Sequence, residues 1–257
     1  MKWGLTPFLF LLASCATQAP VPPGALVFGV LGDVPYSAGE IERLDAVIER
    51  INADRLEFVV HVGDIGSSRQ ACSDAWLAER KKQFARIRHP FLLIPGDNEW
   101  SDCKDPLERL RQWRALFCGT QLTVQRQRGE YCEHVRWEAD GWVFVALNVP
   151  GSNNHLRHPE HGPRMAAVHA WLDEAAAMAA GKKGLVVLMQ ANPFVTSPRD
   201  GYASLRASLE DLATRMPRRV TLIHGDTHLY RDDEPRPGLR RIEVWGSPFV
   251  DWTRVAL

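Results

Sequence analysis

Short runs of apolar, β-branched and aromatic residues alternate along this chain with longer stretches in which apolar positions recur every three to four residues. The runs Ala25–Leu31, Phe58–Val62, Phe91–Ile94 and Val220–Ile223 are bounded by Gly or Pro and are too short for helices. They predict buried strands, as does Leu185–Met189. Between them lie helical patterns. Glu40–Ile51 places Ile41, Leu44, Val47, Ile48 and Ile51 on one face. Further helices are expected over Ser73–Ile87, over Pro106–Phe117 with Pro106 in the first turn, over Met165–Ala180 up to Gly181, and near Tyr202–Met216. Tyr131–Trp137 and Trp142–Asn148 read as an antiparallel pair turning at Asp140-Gly141, and Arg240–Trp245 as a last strand. Helices between buried strands cover both faces of a sheet. With the antiparallel insertions, the pattern predicts one α/β domain over residues 25–257, built of two packed mixed β-sheets flanked by helices.

The start of the chain reads differently. Met1-Lys2 precedes an apolar stretch, Trp3–Leu12, too short to span a bilayer as a stable helix. It has the form of an export signal and is set apart from the fold over residues 1–15. Leu12-Ala13-Ser14-Cys15 resembles the lipobox of bacterial lipoproteins, in which the Cys is acylated. Ala16 after Cys15 implies, by the same resemblance, the periplasmic side of the outer membrane. Residues 16–24, with Pro20, Pro22 and Pro23, would form an extended tether. Lys and Arg total 31, as do Asp and Glu. That balance, with no basic stretch interleaved with aromatics, gives no reason to expect a nucleic-acid partner.

Beyond Cys15 stand Cys72, Cys103, Cys118 and Cys132, an even number that suggests two disulfides in an exported chain. Zinc is the competing reading, but no Cys-x-x-Cys spacing supports it. Three pairings are open. If the loops after Phe58–Val62 and Phe91–Ile94 share a rim, Cys72–Cys103 would cross-link them and leave Cys118–Cys132 as a local clasp.

The candidate chemistry sits where the apolar runs end. Gly32-Asp33, Gly63-Asp64, Gly96-Asp97-Asn98-Glu99 and His224-Gly225-Asp226-Thr227-His228 each follow a predicted strand. If those strands are parallel neighbours, one rim collects Asp33, Asp64, Asp97, Asp226 and His228, at the carboxyl ends where open α/β sheets place their sites. Two carboxylates ~4 Å apart repel by ~4 kcal/mol at an effective dielectric of 20. Four together call for a cation.

The order of these segments resembles the calcineurin-like metallophosphoesterases, whose pattern runs Asp-x-His, Gly-Asp, Gly-Asn-His-Asp/Glu, a lone His, and Gly-His-x-His. The resemblance extends from Gly32 to His228. It implies a two-sheet sandwich, a two-metal site, and hydrolysis of phosphate monoesters or diesters. Asp33 matches the first ligand and Asp64 the one shared by two metals, whereas Pro35 stands in place of a His. Asp97 replaces the ligand Asn and Asn98 the His that acts as general acid. Gln190, in Met189-Gln190-Ala191-Asn192-Pro193, replaces the lone His. Asp226 replaces the first His of the last motif, and His228 is kept. Gly-Asp-Asn-Glu-Trp and Gly-Asp-Thr-His segments are similar to those of a bacterial branch of the superfamily.

Losing three imidazoles and gaining two carboxylates makes the implied site oxygen-rich, which favours Mn or Mg over Zn or Fe. One or two divalent ions would be held by Asp33, Asp64, Asp97, Gln190, Asp226 and His228. Asn98 can hydrogen-bond a phosphate but cannot protonate a leaving group. His61 and His224 are the candidates for a substitute acid, with His155, His158 and His161 in the Gly151–Arg164 loop behind them. Glu99 is expected to orient a neighbouring group, Trp100 to pack, and Arg164 to lie on a helix surface. The expected substrate is a phosphorylated small molecule or a lipid headgroup. The alternative is a metal- or phospholigand-binding lipoprotein that has lost catalysis on the same fold.

Overall fold

A computed structural model describes residues 24–257. The expected export signal, Cys15 and all of the expected tether but Gly24 lie outside the described residues. Four strands form one sheet in the order β11-β1-β2-β3, with β1 (Val27–Leu31), β2 (Val59–His61) and β3 (Phe91–Leu93) parallel and β11 (Thr253–Ala256) antiparallel to β1. Seven strands form the other in the order β4-β5-β6-β7-β8-β10-β9. Here β6 (Trp142–Ala146), β7 (Gly184–Leu188), β8 (Val220–His224) and β10 (Leu239–Glu243) run parallel. The flanks, β4 (Gln125–Arg126) with β5 (Val135–Ala139) and β9 (Arg231–Arg236), are antiparallel.

Strand alternation explains why the sheets stack. Phe28 and Val30 of β1, Val60 of β2 and Leu92 of β3 face Trp137, Phe144, Val186, Leu188, Ile223 and Ile242 of the larger sheet in one closed apolar layer. The residues of opposite parity face helices. Val143, Val145, Leu185 and Val187 pack under α6 (His161–Met178) and α7 (Ala203–Arg215). Leu31, Val59 and Leu93 pack under α1 (Ala38–Ala53), α3 (Asp74–Phe84) and α4 (Pro106–Phe117). Four layers result, helix–sheet–sheet–helix, as expected from two mixed sheets with helices outside.

Local chemistry sets several boundaries. Ser37 caps α1 by accepting from Glu40 N, and Ser73 caps α3 by accepting from Trp76 N. Asp140 and Gly141 take positive φ in the two-residue turn between β5 and β6, as an Asp-Gly hairpin requires. Other expectations shift. The strand foreseen over Tyr131–Trp137 begins at Val135, because His134 N closes a turn onto Tyr131 O. Helix α6 begins at His161, so Arg164 lies inside it and is buried rather than on its surface. The pairings are Cys72–Cys103 and Cys118–Cys132, with Cα separations of 5.6 and 5.8 Å. No described helix is long and apolar enough to cross a membrane.

Candidate metal centre

The carboxylates meet at the carboxyl ends of strands from both sheets, not along the rim of one. Asp33, Asp64 and Asp97 follow β1, β2 and β3 of the smaller sheet, whereas Gln190 follows β7 and Asp226 follows β8 of the larger. The apolar runs are alike in both sheets, so the sequence did not encode which sheet each would join. Face-to-face packing brings the two sets of ends together.

The loops are wound tightly. Asp33, Asp64, Asp226 and His228 all adopt left-handed backbone, at φ 54°, 60°, 85° and 59°. Each such residue costs roughly 1–2 kcal/mol with a β-carbon present, a strain that concentrates at functional sites. Glycines make room around them. A β-carbon at Gly96 would collide with Asp64 Oδ1, and one at Gly225 with Asp33 Oδ2. One at Gly151 would lie 2.9 Å from Asp226 Oδ1 and from both Asp97 oxygens, so Gly151 marks where these two carboxylates converge.

Hydrogen bonds tie the carboxylates into one network. Asp226 N donates to both Asp33 oxygens at 3.0 and 3.1 Å, and Asn192 N donates to Asp226 Oδ2 at 2.8 Å. Asp64 Oδ2 accepts from Tyr36 OH at 2.8 Å, Asn98 Nδ2 at 3.0 Å and Gln190 Nε2 at 3.3 Å. Ser152 Oγ donates to Asp97 Oδ2 at 2.7 Å. Around this network, Glu99 accepts from Ile65 N at 2.5 Å and from Gly96 N at 2.9 Å, joining the Asp64 and Asp97 loops as expected of an orienting group. Ser247 N donates to Asp33 O at 3.0 Å, and its carbonyl lies 2.7 Å from His228 Nδ1, so Trp245-Gly246-Ser247-Pro248 closes one side.

Burial raises the pKa of every carboxyl at the centre. Asp33 and Asp64 are pushed well above the carboxylate range by burial, and neighbouring carboxylates add to it. Asp97 is raised by burial and then by Asp102. Asp226 and Glu99 are each pushed up to about 7, burial again leading. Tyr36 is held protonated by burial and by Asp64. Among the described residues, the one basic side chain within 4 Å of the Asp33, Asp64, Asp97 and Asp226 carboxylates is His228, its Nε2 3.6 Å from Asp33 Oδ1. Asp97 Oδ1 is buried with no hydrogen-bond partner. An orphaned buried oxygen among under-compensated carboxylates is a donor set that fits a hard divalent cation. The acidic and imidazole ligand atoms at this centre nonetheless stand too far apart for any three to lie within 4.8 Å of one another. His155, His158 and Glu160 do lie that close, but Glu160 is already engaged by Arg164 at 2.9 Å.

The structure therefore brings Asp33, Asp64, Asp97, Asn98, Gln190, Asp226 and His228 together. It does not bring in His61 or His224. Both are fully buried, and burial lowers each to about 3, so they stay neutral at ordinary pH. His61 contacts Val34 O at 3.2 Å, accepts from Gly63 N, and packs on Phe84; His224 contacts the carbonyl of Gly225. Both rings sit in the packing beneath the loops. His155 stacks on His158, contacts Glu160 and meets Trp100 edge-on. His161 lies against Asn154.

Sequence reasoning missed Tyr36 and the bond from Ser152 to Asp97, although Gly151-Ser152-Asn153-Asn154-His155 reads as a loop of neutral donors at a substrate rim. Tyr36 follows the conspicuous Asp33 by three positions, but a lone Tyr after Val-Pro carries no ligand signal. Residues 151–155, read as a loop, form one turn, α5 (Gly151–Asn154), running into His155, with Ser152, Asn153, Asn154 and His155 all left-handed. Arg164 holds it in place. Its guanidinium donates to Asn148 O, to Asn154 Oδ1 and O, and to Glu160. The apolar cleft of about 310 Å³ beside Phe84, Phe91 and Phe117 is lined by none of these residues.

No family model matches the sequence, and no curated protein matches it. Solved structures do match the fold. A dimetal phosphatase from Danio rerio shares 15% identity at a TM-score of 0.60, over 86% of this chain and 87% of that one. GAP50, the anchor in the inner membrane complex of Plasmodium, shares 12% at 0.52, over 86% and 71%. The purple acid phosphatase PPD1 from yellow lupin (Lupinus luteus) seeds shares 11% at 0.50, over 92% of this chain and 48% of that one. The chain has the two-sheet α/β fold of the metallophosphoesterases.

Proposed function

We infer that this protein is a metal-dependent phosphoesterase whose cation site is built mainly from carboxylate and amide oxygens. The observation that carries the reading is the convergence of Asp33, Asp64, Asp97 and Asp226 at the two sheet ends, with Asp97 Oδ1 left without a partner. The dimetal and purple acid phosphatases that share the fold support it. Asp33, Asp64, Asp97, Asp226, Gln190 and His228 would hold one or two divalent ions, Mn or Mg ahead of Zn or Fe because oxygens outnumber nitrogens. A cation bound there would polarise phosphoryl oxygens and activate water.

The chain's own groups do the rest. Asn98 Nδ2 spends both amide protons, on Tyr36 OH and on Asp64 Oδ2, and would serve a phosphoryl oxygen as a neutral donor on giving up one of them. The Tyr36 phenol, held protonated, gives its one proton to Asp64 Oδ2 and so orients that carboxylate. The Ser152 hydroxyl fixes Asp97. With no imidazole but His228 at the cluster, esters whose leaving groups need no proton, such as aryl phosphates, should react best, because a general acid contributes roughly 10²–10⁴-fold to poorer ones. Substrates would be phosphorylated small molecules or lipid headgroups, met from a lipid anchor on Cys15 at the periplasmic face of a bacterial outer membrane; the lipobox supports that placement.

The second reading is a binding protein without turnover. It is favoured by the saturation of Asp64 Oδ2 with three donors and by a fold neighbour described as an anchor. Hydrolysis of aryl phosphate monoesters and diesters by the chelated full-length protein, titrated with Mn²⁺, Mg²⁺, Ca²⁺ and Zn²⁺, separates the two. Turnover restored by Mn²⁺ or Mg²⁺ supports the enzyme, and cation binding with no turnover supports the second reading.

A further inference from the structure

Five large apolar side chains are exposed among the described residues, and three of them, Leu229, Tyr230 and Phe249, at 55%, 40% and 58% exposure, stand within two residues of His228 or Ser247 along the chain. Two belong to an aromatic ledge. The Tyr230 ring lies flat on Trp245, centroids 4.9 Å apart and planes 11° apart, and Phe249 meets the same indole at 6.1 Å and 61°. The backbone fixes the ledge to the site. Tyr230 is two residues beyond His228, within about 8 Å along the chain. Trp245 is two residues before Ser247, which hydrogen-bonds Asp33 and His228. A clustered exposed aromatic surface marks a place of contact, and this one adjoins the carboxylates.

The neighbouring charges narrow the occupant. Arg231, Arg240 and Arg241 are paired with Glu243, Asp232 and Asp233, so no surplus of positive charge lies beside the ledge to draw an anionic bilayer. Stacked rings next to a phosphate-ester site suit a planar group joined to that phosphate. We propose that Tyr230, Trp245 and Phe249 form a stacking subsite for the aromatic moiety of the substrate, with the nucleobase of a nucleotide as the class that fits. Every base offers a π-face to such a platform, whatever its hydrogen-bonding edge. The inference rests on the phosphoesterase reading for the place of the phosphate, and on the rings alone for the place of the base.

The test pairs ligands that differ only in the base. Calorimetric titration of the full-length protein with adenosine and with ribose reads the ledge without any bond to hydrolyse. Initial rates with Mn²⁺ on adenosine 5′-monophosphate and ribose 5-phosphate read it during turnover. Adenosine should bind at least tenfold more tightly than ribose. Tyr230→Ala should remove about tenfold of that affinity, raise KM for the nucleotide more than it lowers kcat, and bring the two phosphate esters toward equal kcat/KM. Tyr230→Phe should retain the preference. Adenosine binding without cleavage of either ester would uphold the ledge while the phosphoesterase reading fell. Equal binding of adenosine and ribose, or a preference untouched by Tyr230→Ala, would overturn the proposal. So would adenosine indifference together with Phe249-dependent binding to phosphatidylglycerol–phosphatidylethanolamine vesicles, which would assign the ledge to a lipid surface.

Discussion

The metal-free protein should lose stability as pH rises, the reverse of what buried but well-compensated carboxylates do. Asp226 and Glu99 are held up to about 7 in the folded chain, with burial as the leading cause, whereas unfolded carboxyls ionise near 4. Between those values the folded state binds more protons than the unfolded state. The stability these groups contribute is therefore fully present below about pH 4 and is lost as pH climbs through about 7. Each group removes about 1.4 kcal/mol per pH unit across that window, so the two together remove up to roughly 5 kcal/mol between pH 5 and 7. At ~2–4 °C per kcal/mol for a domain of this size, the melting temperature of the chelated protein should fall by on the order of 10 °C. A divalent cation displaces the protons, so saturating Mn²⁺ should raise the melting temperature strongly at pH 8 and little at pH 5. Differential scanning fluorimetry at half-unit pH steps, with and without chelator, reads both effects. A chelated protein that is flat or more stable on going from pH 5 to 7, or a Mn²⁺ effect equal at both ends, would refute the reasoning.

Three substitutions probe the supports. Gly151→Ala places a methyl 2.9 Å from the Asp97 and Asp226 oxygens, so it should lower cation affinity at least tenfold while costing about 1–3 kcal/mol in urea unfolding; unchanged affinity would show that the ion sits elsewhere. Arg164→Lys cannot reproduce the forked contacts to Asn148, Asn154 and Glu160, and should destabilise the fold by about 3–5 kcal/mol. A loss under 1 kcal/mol would mean that the left-handed turn stands without it. Cys72→Ser with Cys103→Ser opens a cross-link of sequence separation 31, worth about 3–4 kcal/mol in chain entropy. It should also weaken cation binding, since the bridge joins the Asp64 and Asp97 loops; full retention of binding would count against that coupling.

The layered fold was legible because strand parity and helix periodicity both reflect burial, and burial dominates in Phe28, Val30, Phe144 and their neighbours. The parts missed lack that signal. β9, Arg231–Arg236, is polar throughout and pairs along an edge, so no apolar alternation announces it. Asp33, Asp64, Asp97 and Asp226 stood out because Gly-Asp after an apolar run is visible locally. Tyr36 and the Asp97 contact of Ser152 did not, because each depends on a residue at least 28 positions away, across a contact that tertiary packing makes. The placement of His61 and His224 was illegible for the complementary reason. A histidine near a strand end looks the same in sequence whether its ring turns toward the site or, as here, into the packing below it.

The most direct measurement is the Mn²⁺ binding isotherm of the full-length protein at pH 7.5, followed by electron paramagnetic resonance, beside that of Asp64→Ala. The account predicts one or two saturable sites in the wild type and loss of at least one in the variant, since Asp64 stands at the middle of the network. A wild-type protein that binds no Mn²⁺, or an Asp64→Ala variant that binds it equally well, would contradict the claim that these carboxylates form a metal centre.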